Sequence, residues 1–94
     1  MIWCVYIIQC ENGSLYTGIT NNLKNRLTAH FSNSGAKFFR SSKPRYLVYI
    51  EDGHDRSSAA KREYQIKSYS RALKLSIIRD FGLQPIEITM AIAD

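Results

Sequence analysis

The chain has 94 residues, 45% of them hydrophobic and 22% charged, with a formal net charge of +5. That length favours one domain with one small core, and the composition is that of a globular chain, not a disordered one. No apolar run approaches the roughly 18 residues that cross a bilayer, no basic leader with a small-residue cleavage site opens the sequence, and the excess of cations favours a polyanionic partner, of which nucleic acid is the commonest.

Residues 2–9 are β-branched and aromatic and predict a strand, apolar enough to be covered on both faces. Cys4 and Cys10 fall in this run. Roughly 20 Å of strand separates them, too far for a disulfide. They are expected as buried thiols in a reducing, cytoplasmic setting, and zinc is not expected. Asn12-Gly13 predicts a hairpin turn into a second strand over 15–19. A two-residue turn would put Tyr6 and Tyr16 on opposite faces of the sheet. A three-residue loop, Glu11-Asn12-Gly13 with Gly13 left-handed, puts both on one face with Ile8 and Gly18. The second alternative is preferred, because it leaves Trp3, Val5, Ile7, Leu15, Thr17 and Ile19 as a continuous core face.

Asn21 or Asn22 can cap a first helix whose stripe is Leu23, Leu27 and Phe31. Residues 32–43 predict a polar, basic loop around Gly35, closed by Pro44. A third strand is predicted over 46–51, broken by Asp52-Gly53. Asp55, Ser57 or Ser58 can cap a second helix running to about Tyr69, and Ser70 a third with Leu73, Ile77 and Phe81 as its stripe and Gly82 as its stop. After Pro85, the alternation Ile86, Ile88, Met90, Ile92 predicts an extra strand that covers a sheet edge or pairs with another subunit. The fold class is therefore mixed α/β (α+β): a three-stranded antiparallel sheet flanked by helices, in the order β-β-α-β-α-α, with a candidate fourth strand at the C-terminus.

Five residues are candidates for chemistry. Arg26 and His30, four apart, share one helical ridge near the sheet. There an arginine can hold a phosphate oxygen through two donors, and a histidine can accept or relay a proton near neutral pH. Glu63 lies at the edge of the apolar face marked by Ala59, Ala60 and Ile66. A carboxylate so placed is satisfied either by Lys67, one turn on, or by a metal ion completed by waters and substrate phosphate. Tyr6 and Tyr16 are weak bases at neutral pH unless a cation or hydrogen-bond partner assists. Lys37, Arg40, Lys43 and Arg45, interleaved with Phe38 and Phe39, suit a phosphate backbone with a base to stack, and Lys67 adds a further cation.

These residues, in this order, resemble the GIY-YIG nuclease superfamily, and most of all its small stand-alone bacterial branch and structure-specific relatives. The resemblance covers about residues 1–82 and rests on Tyr6, on Tyr16-Thr17-Gly18-Ile19-Thr20, on Arg26, His30 and Glu63, and on the stretch from Gly35-Ala36-Lys37 to Leu47-Val48-Tyr49. It implies a domain over 1–82 with an extension over 83–94. It also implies hydrolysis of DNA phosphodiester bonds through one Mg²⁺ or Mn²⁺ ion, on branched or flapped structures and with a protein partner supplying specificity. Tyr6, Tyr16, Arg26, His30 and Glu63 would be catalytic, with Glu63 holding the metal. The first motif reads Cys4-Val5-Tyr6 and the second Tyr16-Thr17-Gly18, so neither is literal. Ile19 stands where some members carry a lysine, which leaves His30 as the phenol's helper. Two alternatives accompany this reading: a non-catalytic nucleic-acid-binding module on the same fold, and an interaction module that self-associates through its C-terminal strand.

Overall fold

The computed structural model describes residues 2–32 and 34–93. Strand β1, Trp3–Cys10, is joined to β2, Leu15–Thr20, by the loop Glu11-Asn12-Gly13. Gly13 adopts φ +86°, which a side chain would resist, and its N–H donates to the Cys10 carbonyl at 2.9 Å. The bulged turn sets the register: Tyr6 stands opposite Gly18 and Ile8 opposite Tyr16, so both phenols share a face.

Helix α1, Leu23–Phe31, is capped by Asn22, whose side chain accepts the Asn25 N–H at 3.1 Å. A short 3-10 turn, Lys37–Arg40, leads into β3, Pro44–His54. Helix α2, Arg56–Lys67, starts from Asp55 in a reciprocal capping box with Ser58. Helix α3, Arg71–Phe81, starts from Ser70 and stops at Gly82. A two-residue strand β4, Ile86–Glu87, and one turn of helix α4, Ile88–Ala91, end the fold. The sheet is antiparallel in the order β2-β1-β3-β4, so β1 is central and β4 lies along the outer edge of β3.

Both faces of β1 are covered, and Val5, Tyr6, Ile7 and Ile8 are 0% exposed. On one face Cys4, Tyr6, Ile8 and Cys10 pack with Leu27 of α1, Phe39 of the 3-10 turn, Leu47 of β3 and Ile88 of α4. On the other Val5 and Ile7 pack with Val48, Tyr49 and the α2 residues Ala59 and Ile66, with Ile77 and Ile78 of α3 at the margin. Each fully buried aliphatic side chain contributes about 1.5–3 kcal/mol, so this double burial anchors the sheet. The face with the phenols is thus as much a core as the face of Val5 and Ile7. Cys4 and Cys10 are buried and unbridged.

Several boundaries differ from the sequence expectation. Asp52-Gly53 does not end β3. Eleven residues of β3 run beside eight of β1, with register shifts opposite Trp3/Val5, Ile7/Ile8 and Gln9/Cys10. Gly53, at φ +83°, absorbs one of these as a bulge and the strand continues. The basic loop contains the 3-10 turn because Phe39, 2% exposed, plugs the core there. The helix stripes are also narrower: α1 buries Leu27 and His30 and leaves Phe31 43% exposed, while Leu73 and Phe81 of α3 are 43% and 48% exposed. The alternation after Pro85 is a strand only as far as Glu87. Ile88, Ala91 and Ile92 then reach one core cluster at helical spacing, and Met90 points to solvent. The edge this segment covers is the chain's own β3.

Candidate active site

Tyr6, Tyr16, Arg26 and His30 converge beneath α1. The sheet register aligns the two phenols, and the helical spacing of Arg26 and His30 turns both toward them. Gly18 makes the approach possible: a Cβ there would lie 2.5 Å from the Tyr6 Oη and 3.0 Å from the Tyr16 Cε2. The Tyr6 Oη lies 2.7 Å from the His30 Nε2. The Tyr16 ring packs edge-on to His30 at 5.2 Å and lies 6.3 Å from the Tyr6 ring. Phe39 closes the cluster from beneath, 4.6 Å from the His30 ring and 4.8 Å from that of Tyr16. Phe38 lies 5.5 Å from Tyr16 on the outside and is 40% exposed.

The electrostatics follow from burial and one cation. Burial pushes the Tyr6 hydroxyl well above the usual phenol range, and the neighbouring Tyr16 adds to this, while the Arg26 guanidinium opposes both. Arg26 loses some charge stability to burial and regains more from hydrogen bonding and attraction to Tyr6 and Tyr16. His30, 0% exposed, has its pKa lowered to about 4 by burial and then by the charge of Arg26, so its ring is neutral at neutral pH. Among the described residues no buried side-chain nitrogen or oxygen lacks a partner.

Among the described residues, Glu63 has no hydrogen bond or ion pair to this cluster. It lies on α2, and its partner is Lys67, with Nζ 3.1 Å from Oε2. The carboxylate is 22% exposed. Among the described residues no three His, Cys, Asp or Glu side chains gather as a metal-binding group. One carboxylate reachable from solvent fits an ion that keeps its waters and takes its remaining ligands from a substrate phosphate, and does not fit an all-protein metal cage.

The sequence of the GIY-YIG catalytic domain, as a family model, matches residues 2–76. The chain belongs to the GIY-YIG family. It is similar to a UPF0213 protein of Desulfotalea psychrophila, 50% identical over 78 residues that cover 82% of this chain and 71% of that one. A UPF0213 protein of Staphylococcus haemolyticus is 43% identical over 76 residues, 81% of this chain and 93% of the relative. The solution NMR structure of a UPF0213 protein from Bacillus halodurans matches with a TM-score of 0.53 and 33% identity, over 84% of each chain.

Around this GIY-YIG cluster the expected DNA-contacting cations divide into two groups. Lys37, Arg40 and Lys43 are exposed and make no ion pair among the described residues. Arg45 is tied to Glu87 at 3.2 Å and lies over the Tyr46 ring, and Lys67 is tied to Glu63. Sequence reasoning named one group of residues without its part in the site and missed another. Gly35 and Ala36 pack onto His30. Glu51, His54, Arg62 and Tyr49 form a network joining β3 to α2, with the Arg62 Nε 3.1 Å from both Glu51 carboxylate oxygens, the His54 Nε2 2.7 Å from Oε2, and the Tyr49 hydroxyl donating to Oε1 at 2.7 Å. Glu51, at the end of the strand expected from sequence and eleven positions before an arginine on the next helix, was the available signal.

Proposed function

We propose that this GIY-YIG protein is a divalent-metal-dependent endonuclease that hydrolyses DNA phosphodiester bonds, with Tyr6, Tyr16, Arg26, His30 and Glu63 as its site. The observation that carries the reading is the convergence of two phenols, a guanidinium and a neutral imidazole on one another, with the Tyr6 Oη 2.7 Å from the His30 Nε2. Arg26 neutralises charge that develops on the scissile phosphate. Tyr16, partly exposed where Tyr6 is wholly buried, is the phenol that meets the attacking water, and Tyr6 orders the cluster behind it. Glu63 holds one Mg²⁺ or Mn²⁺ ion, which when bound supplies a Lewis acid at the phosphate oxygens. Lys37, Arg40 and Lys43 track the backbone of the substrate, and a branched or flapped structure is the expected shape of that substrate. The buried, unbridged thiols support a reducing compartment, the cytoplasm.

Labelled single strands, duplexes, flaps, forks and junctions, incubated with Mg²⁺ or Mn²⁺, test this. Cutting by the wild type that disappears in Glu63→Ala is the expected result. The Glu63–Lys67 ion pair favours a second reading, because it satisfies the carboxylate without a metal. In that reading the chain binds nucleic acid without cutting it. Salt-sensitive binding that is indifferent to Glu63→Ala, with no cleavage of any substrate, would establish it.

A further inference from the structure

His30 directs its two ring nitrogens to different partners. Nε2 faces the Tyr6 Oη at 2.7 Å, and Nδ1 accepts the backbone N–H of Ala36 at 3.2 Å. An acceptor nitrogen must carry a lone pair, so Nδ1 has no proton. A neutral imidazole keeps one proton, which therefore sits on Nε2. It follows that the ring donates to Tyr6 and the phenol oxygen accepts. The turn that supplies the N–H lies directly on the ring: a Cβ at Gly35 would overlap the His30 Nδ1 and lie 2.9 Å from the His30 Cα. Glycine at 35 is what lets the Ala36 amide come this close.

We propose that the Gly35–Ala36 turn is a positioning element that fixes His30 as the Nε2–H tautomer and makes it a hydrogen-bond donor to Tyr6, not the acceptor of the Tyr6 proton. The catalytic meaning of this lock rests on the nuclease reading, but the lock itself does not. His30 and Arg26 both supply donors to the Tyr6 oxygen, while burial keeps that phenol protonated at neutral pH. The remaining groups against the ring, Tyr16 of β2 and Phe39 of the 3-10 turn, meet it through their rings. His30 thus orients the phenols and does not shuttle their protons.

The test is long-range ¹H–¹⁵N correlation of the histidine rings in the ¹⁵N-labelled chain. At neutral pH the expected pattern for His30 is a protonated Nε2 and a bare Nδ1. A protonated Nδ1, or an imidazolium, overturns the proposal. The second arm replaces the Ala36 amide nitrogen by an ester oxygen, with lactic acid in place of Ala36, which removes the N–H and adds no atom. The expected outcome is a mixture of tautomers at His30 and a roughly tenfold fall in cleavage rate, the scale of one lost hydrogen bond. An unchanged tautomer in the ester, whatever happens to cleavage, overturns the proposal. If the wild type cuts no substrate, the nuclease reading fails on that assay while the ring spectra still decide the lock.

Discussion

A methyl group at position 18 would stand 2.5 Å from the Tyr6 Oη and 2.7 Å from its Cζ. Gly18→Ala must therefore push one phenol off its neighbours. We expect a loss of about 1–3 kcal/mol, the usual cost of overpacking a filled core, together with a loss of cleavage. A urea midpoint and a cleavage rate both unchanged would refute the close approach. His30 gives a pH prediction. Its folded pKa is about 4, against 6.5 for an unperturbed imidazole, first through burial and then through Arg26. Between those values the unfolded chain binds a proton that the folded chain refuses, so stability falls as pH drops through that window. The full effect is on the order of 3 kcal/mol. Denaturation curves across this window should show the slope in the wild type and a flatter one in His30→Gln, with a residual slope at the acid end from Glu51, whose pKa is lowered. At this scale the four clustered side chains were legible, because strand register and helical spacing are local rules. The parts of Gly18 and Gly35 were not, since the space each vacates is filled from another element.

Between elements, the network at Glu51 joins β3 to α2. Burial pushes the Glu51 carboxyl up, but hydrogen bonds from Tyr49, His54 and Arg62 bring it below the usual carboxylate range. Arg62→Met keeps the side-chain stem and removes the guanidinium from the carboxylate, leaving it to Tyr49 and His54, so we expect a loss of about 1–3 kcal/mol, measured by chemical denaturation. Asp55→Ala, which removes the cap of α2, should lower stability in the same measurement. Helix starts were readable because Asn22, Asp55 and Ser70 each bond to the amide three residues on. The end of the chain was not. Isoleucines at 86, 88 and 92 satisfy a strand period, while Ile88, Ala91 and Ile92 satisfy a helical one. Packing against the first core cluster, a tertiary effect, decided between them.

For the whole molecule, the +5 charge matters less than its placement. Replacing Lys37, Arg40 and Lys43 together by alanine should lower the slope of log affinity against log salt by about 2–3, because each phosphate contact contributes about 0.7–0.9. Arg45→Ala, which also frees Glu87, should change it less. Fluorescence anisotropy with a labelled oligonucleotide over a salt series separates the two. The sequence could show that cations were abundant, but not which ones acidic neighbours had already claimed. The pair of thiols has a consequence of another kind. Cys4 and Cys10 stand at opposite ends of the central strand, 7% and 3% exposed, and burial raises both pKa values. A thiol reagent can modify either one only after that end of the strand has opened. The chain therefore carries two built-in clocks, and the ratio of their labelling rates reports whether the central strand opens as one unit or unzips from an end.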